Sequence, residues 1–176
     1  MQQLWHEQTR ELAFKKYSRK IEKVVFRLPD GTESDFYVKA EGPAAAVLAL
    51  TPDNLVILVK EYRPGPKLVL DELPGGYVDP NEQPEQTIRR EFIEETGYDG
   101  DFELVNTCLD DAYSTMVRYC YVAKNCHKVG KPTQTATEST EVVLVPLKEF
   151  RERLRSGKMT DIEVGYMCLD YLGLLC

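Results

Sequence analysis

The chain has 176 residues, 43% of them hydrophobic and 29% charged, which fits one domain with a well-buried core and at most a short extension. Its formal net charge of −7 argues against general nucleic-acid binding, which needs a basic surface for phosphates. No apolar run reaches the length that spans a bilayer, so no membrane association is expected. The polar, mixed-charge stretch from Met1 to Lys20 has neither the apolar core of a secretory signal nor the acid-poor character of a transit peptide, and a cytoplasmic protein is expected. Cys108, Cys120, Cys126, Cys168 and Cys176 contain no CxxC pair. Their odd number suits neither a disulfide framework nor a four-cysteine zinc site, so they read as free, mostly buried thiols.

Ile21 to Leu28 and Ser34 to Ala40 are rich in Val, Phe and Tyr and flank Pro29-Asp30-Gly31-Thr32, a turn-forming sequence, which predicts a β-hairpin. Ala44 to Leu50 and Leu55 to Glu61 are two more strand segments, separated by the turn signal Thr51-Pro52-Asp53-Asn54. Glu72-Leu73-Pro74-Gly75-Gly76 brings a strand into a glycine-bearing turn where backbone could approach a metal or a phosphate. Pro84 to Thr96 reads as a helix, with Pro84 in its first turn, Glu85 at the positive end of the dipole and Gly97 as terminator. Strands are expected at Phe102 to Leu109, Met116 to Lys124 and Glu141 to Pro146, and helices at Leu147 to Arg155 and Asp161 to Leu172. Lys124 to Thr137 reads as a long exposed loop. Strand and helix do not alternate cleanly, which favours an α/β sandwich of mixed sheet and flanking helices over a doubly wound parallel sheet.

Within the predicted helix, Glu91, Glu94 and Glu95 stand at i, i+3 and i+4, so three carboxylates share one face. Their repulsion calls for a compensating cation or basic neighbours, and Arg89 and Arg90 supply part of it. Ile88 and Phe92 form an apolar i, i+4 seam that packs the helix on the sheet and keeps the glutamates near the domain surface. Clustered hard oxygen ligands suit Mg²⁺ or Mn²⁺, and the two histidines, His6 and His127, are remote in sequence.

Gly76, Glu82, Arg90, Glu91, Glu94, Glu95 and Gly97 match the pattern G-x5-E-x7-R-E-U-x-E-E-x-G-U at every fixed position, with Phe92 and Tyr98 in its two apolar slots. Chance would produce seven such matches on the order of 10⁻⁹ to 10⁻⁸ times per starting position. The segment therefore resembles the box of the Nudix hydrolases. The flanking Glu61-Tyr62-Arg63 and Glu72-Leu73-Pro74-Gly75-Gly76 resemble the ADP-ribose and nucleotide-sugar pyrophosphatase branch. That resemblance implies an α/β/α sandwich with a mixed sheet. The activity it implies is Mg²⁺-dependent (or Mn²⁺-dependent) attack of water on the diphosphate of a small nucleotide-sugar substrate, releasing a nucleoside monophosphate and a sugar phosphate.

By the same resemblance Glu91, Glu94 and Glu95 are metal ligands with the backbone of Gly75, while Glu82 and Arg90 brace the box. Arg63, Glu72 and Tyr113 are candidates for substrate contact, Arg63 because a guanidinium fork suits phosphate. The general base or a further metal ligand is expected at Glu138, with Glu141 as runner-up. Two departures stand out: Gly75 stands where the branch commonly has alanine, a change that spares a backbone ligand, and no proline occurs between Gly97 and Pro132, where ADP-ribose pyrophosphatases usually carry one, so ADP-ribose is one candidate among several. Two other readings compete, a non-catalytic nucleotide-binding or sensing module and a hydrolase of nucleoside triphosphates or capped RNA. Residues 1–40 are read as an N-terminal extension carrying the hairpin and residues 41–176 as the hydrolase domain. Since the resemblance implies that the extension supports a homodimer, light scattering at micromolar concentration is expected to return twice the 20.1 kDa chain mass; a monomer overturns that expectation.

Overall fold

The computed structural model describes residues 4–133 and 140–175. They fall into two compact units, one formed by Met1–Pro43 with Leu109–Val117 and the other by Ala44–Cys108 with Arg118–Cys176.

The smaller unit is built on three antiparallel strands in the order β1 (His6–Lys16), β2 (Arg19–Arg27) and β3 (Glu33–Lys39). The expected hairpin is β2–β3. Gly31 takes φ 85° at its turn, and Asp30 accepts a hydrogen bond from the Thr32 amide at 2.9 Å, which is the local chemistry that favours Asp and Gly there. β1 was not anticipated. Every residue of it is exposed, so its sequence lacks the apolar alternation that marks a half-buried strand. It is held by backbone pairing to β2 and by Arg10, which reaches Glu22 at 2.6 Å. The segment 109–117 joins this unit through backbone bonds of Lys39 to Tyr113 and Thr115, both 2.8 Å.

The larger unit contains β4 (Ala44–Leu50), β5 (Leu55–Arg63), β6 (Leu68–Glu72), β7 (Gly75–Tyr77), α1 (Pro84–Thr96), β8 (Tyr98–Leu109), β9 (Val117–Lys128), β10 (Glu141–Pro146), α2 (Leu147–Ser156) and α3 (Ile162–Tyr171). Its sheet runs β10-β5-β4-β9-β8, with β6 added to β5 and β7 to β4. β4 and β9 are parallel while β5 pairs antiparallel with β4, β6 and β10, so the sheet is mixed. β4 is buried on both faces, and its alternate residues enter two cores. Leu48 and Leu50 pack with Phe150, Leu154, Val164 and Leu169 of α2 and α3. Val47 and Ala49 pack with Ile88 and Phe92 of α1. The result is helix on both faces of one sheet, the expected α/β/α sandwich. Ile88 and Phe92 are fully buried, and each such side chain contributes on the order of 1.5–3 kcal/mol to docking α1.

Two local readings are corrected. Gly75 and Gly76 lie in a strand rather than a turn, paired with Ala46 and Ala45. A Cβ on Gly75 would stand 2.2 Å from the Ala45 carbonyl oxygen, so glycine here serves close strand approach. Also, β9 continues through Lys128 into the stretch expected to be a loop. Only after it does the chain turn back, and Val129 and Gly130 donate to the Gly97 carbonyl at 2.8 and 3.0 Å.

Gly97 closes α1 in the left-handed conformation, φ 71°, with its amide donating to Ile93 at 2.8 Å. A Cβ there would also lie 2.6 Å from the Gly130 carbonyl oxygen. Both the conformation and the space exclude a side chain, so Gly97→Ala is expected to lower unfolding free energy by about 2–4 kcal/mol, measured by urea denaturation. A change below about 0.5 kcal/mol contradicts this.

Candidate functional site

The acidic face of α1 is compensated mainly by one residue. Arg90 donates from Nε and Nη2 to the two oxygens of Glu82, each at 3.0 Å, and from Nη1 to Glu91 at 2.8 Å and Glu94 at 3.1 Å. Asp79 lies 3.5 Å from the same guanidinium. This ring of carboxylates drives the Arg90 pKa further above its already high ordinary value, fixing it as a cation. Arg89 does not share the task, contrary to the sequence reading. Its neighbouring position turns it about 100° around the helix, where it pairs with both oxygens of Asp99 at 2.8 and 3.0 Å and covers the Phe102 ring.

Glu95 points the other way, toward the sheet, and accepts a hydrogen bond from the Gly75 amide at 3.0 Å. Although the residue as a whole is only half-buried, its carboxyl is enclosed. That desolvation, with repulsion from Glu91 and Glu61 and against the Gly75 hydrogen bond and the attraction of Arg63, pushes its pKa up to about 8. Glu91 lies against Gly76, where an added Cβ would meet its carboxyl carbon at 2.8 Å. β7 thus carries two adjacent glycines for two reasons, one to pair closely with β4 and one to leave room for Glu91.

From β5 and β6 comes a second charged group. Arg63 donates from Nε to the two oxygens of Glu72 at 2.8 and 3.0 Å, closes the fork through Nη2, and reaches Glu61 at 3.2 Å. Glu72 is 2% exposed while the Arg63 side chain is 42% exposed. A buried carboxylate therefore orients a partly exposed guanidinium, and its hydrogen bonds and charge hold the Arg63 pKa above the ordinary value. Glu61 is a neighbour of the site to which the sequence reading assigns no role. Its position two residues from Arg63 on one strand places both on the same face, the signal that could have identified it.

Thr133 donates its amide to the Glu94 carbonyl at 2.7 Å, and the Thr140 hydroxyl donates to the Glu95 carbonyl at 3.1 Å. The chain therefore leaves and re-enters the described region at the same end of α1. Glu138 lies outside the described residues. Glu141, exposed, begins β10 opposite Lys60. Tyr113 belongs to the smaller unit, where it is 58% exposed and its ring stacks on Phe36 with centroids 6.4 Å apart. Asp110 and Asp111 beside it are both paired with Lys39.

The larger unit thus gathers Arg63, Glu72, Gly75, Arg90, Glu91, Glu94 and Glu95. The donors are hard oxygens and Gly76 leaves Glu91 a gap, features that suit a divalent cation rather than a soft metal. As the side chains stand, no three His, Cys, Asp or Glu residues converge on one point among the described residues, because Glu91 and Glu94 are turned to Arg90 and Glu95 to Gly75. Gripping an ion requires side-chain rotation within this cluster.

A family model described as the NUDIX domain matches residues 40–161. The chain is 27% identical over 150 residues to the ADP-ribose pyrophosphatase of Bacillus subtilis, an alignment covering 84% of this chain and 80% of that protein. It is 34% identical over 151 residues to the CMP-5'-(N-acetyl-N-hydroxy-3-aminopropyl)phosphonate hydrolase of Streptomyces rubellomurinus, covering 84% of this chain and 72% of that one. A solved structure described as an ADP compounds hydrolase superposes with a TM-score of 0.78 at 18% identity, covering 99% of this chain and 98% of the other, a likeness of fold.

Glu95 makes stability depend on pH. Its folded pKa of about 8 lies above the ordinary 4.5, so the folded chain holds a proton that the unfolded chain releases. Its contribution is fully present below about pH 4.5 and is lost as pH rises through about 8. In chelator, the urea midpoint of the wild-type chain is expected to fall relative to that of Glu95→Gln between those limits. Parallel pH profiles for the two proteins would refute the assignment.

Proposed function

This chain belongs to the Nudix family of hydrolases, and from that premise we propose that it cleaves the diphosphate linkage of ADP-ribose or a related nucleoside diphosphate sugar. The products are a nucleoside monophosphate and a sugar phosphate. The observation that carries the reading is the joint placement, in one unit, of the acidic α1 face and the Arg63–Glu72 pair. The names of the similar proteins from Bacillus subtilis and Streptomyces rubellomurinus, both describing cleavage of nucleotide compounds, support it.

Glu91, Glu94 and Glu95 would hold Mg²⁺ or Mn²⁺, which when bound would neutralise phosphoryl charge and make water a better nucleophile. The Gly75 backbone lines the same site. Arg90 keeps its grip on Glu82 and so keeps α1 registered to the loop before it. Arg63, oriented from behind by Glu72, presents its outer N–H groups to the diphosphate, a task for which a planar fork serves better than an ammonium. A proton must still leave the attacking water. Glu138 is assigned that role. The resemblance to the family, which draws its base from a loop distant from the box, is what supports that choice. Glu141 stands as the second candidate. Tyr113 is assigned to contact with the base or sugar.

Substitution of Glu91 or Glu94 by glutamine is expected to lower kcat at least about 10²-fold with the far-ultraviolet circular dichroism unchanged. Glu138→Gln should lower kcat more than Glu141→Gln. The assay is a screen of ADP-ribose, other nucleotide sugars, dinucleoside polyphosphates and nucleoside triphosphates with Mg²⁺ and with Mn²⁺. Full turnover in both box variants removes the metal-ligand assignment. Tight nucleotide-sugar binding with no product supports a binding module instead, and preferred cleavage of triphosphates moves the substrate class.

A further inference from the structure

Two cysteines that the proposed chemistry does not use stand in contact. The Sγ atoms of Cys108, near the end of β8, and Cys120, in β9, are 3.7 Å apart. β8 and β9 are hydrogen-bonded neighbours in the sheet, and the sulfur contact itself brings the two side chains within reach of a disulfide. Forming the bond needs the two sulfurs to close to roughly 2.05 Å, a movement shared between two side-chain rotations. The pair is also asymmetric in access, because Cys108 is half-exposed and Cys120 is fully buried. Cys168 shares their core cluster but donates to the Tyr121 carbonyl at 3.2 Å, and Cys126 packs in the other core, beneath α1.

We propose that Cys108 and Cys120 are a modification site at which a small-molecule disulfide, such as oxidised glutathione, reversibly installs an intramolecular disulfide. The Cys108 thiol loses its proton and attacks one sulfur of the oxidant. That S–S bond breaks, the first glutathione leaves as a thiol carrying the proton, and a mixed disulfide remains on Cys108. The Cys120 thiol then loses its proton and attacks the Cys108 sulfur, the Cys108–glutathione S–S bond breaks, and the second glutathione leaves as a thiol carrying that proton. Two protein thiols are oxidised to one disulfide, and one glutathione disulfide is reduced to two thiols. The exposed sulfur has to act first because the oxidant cannot reach the buried one. Burial raises the pKa of both thiols, so exchange is slow near neutral pH and accelerates as pH rises. The ring so closed contains residues 109–119 and therefore Tyr113, the residue assigned above to contact with the base or sugar.

The test is incubation of the full chain with defined ratios of oxidised to reduced glutathione, followed by mass spectrometry of non-reduced peptides. The expected result is a chain lighter by two hydrogens, in which the Cys108 and Cys120 peptides are joined, reversed by dithiothreitol and retained in Cys126→Ser. The link is absent in Cys108→Ser and in Cys120→Ser. Mapping of the unsubstituted chain decides the matter even if a serine variant fails to fold. Accumulation of Cys108 only as a glutathione adduct, a link between any other pair, or no link under ratios that oxidise the urea-unfolded chain overturns the proposal.

Discussion

Like charges packed on one helical face set the terms for the rest of the larger unit. Glu91, Glu94 and Glu95 occupy adjacent positions on α1, with Glu61 of β5 close enough to raise the Glu95 pKa. Close carboxylates in a partly desolvated setting repel far more strongly than they would in water. They are tolerated because Glu91 and Glu94 have a cationic partner and enclosure keeps Glu95 protonated up to about pH 8. Arg90 spreads one guanidinium over Glu82, Glu91 and Glu94, while Glu95 meets the Gly75 amide. The partners come from the helix itself and from the strand before it, so α1, the loop bearing Glu82 and β7 must be assembled together for any of them to be stable.

That dependence explains the surrounding construction. α1 is driven onto the sheet by the burial of Ile88 and Phe92 against Val47 and Ala49, which brings its acidic face to β7. β7 in turn can approach β4 only because Gly75 has no side chain to meet Ala45. On β5 and β6, Glu72 is buried and Arg63 is half-exposed, so the costly element, a buried carboxylate, is paired with a cation that still reaches solvent. Membership in the Nudix hydrolases follows from the family match over residues 40–161. Within that matched region the α1 carboxylates stand near the Arg63 guanidinium, which attracts Glu95 electrostatically.

Legibility in the sequence followed the strength of the local signal. β2, β3, β4, β5, β10 and all three helices carry periodicity or terminators that survive without tertiary context, and they were read near their observed bounds. β1 carries none, since its stability comes from backbone pairing and ion pairs rather than a buried face. Lys124 to Lys128 looked like loop because its side chains are polar, yet the backbone continues in β9. Arg89 and Arg90 are equivalent in composition but not in geometry, and one residue of helical rotation sends Arg89 to Asp99. The opposite directions of Glu94, toward Arg90, and Glu95, toward Gly75, were likewise invisible in a spacing that puts both on one face.

What the sequence determined by itself was the chemistry of the box: residue types at fixed spacings decide that three carboxylates, one guanidinium and a helix-ending glycine share a short segment, because helix geometry is local. Tertiary structure decided which of those carboxylates is enclosed, which is held by Arg90, and which strand supplies the amide to Glu95. It also brought Thr133 and Thr140 to the same end of α1 and placed Glu72 behind Arg63. These outcomes depend on contacts between segments distant in sequence. Burial and pairing arise only once the sheet and helices have packed, so no local pattern encodes them.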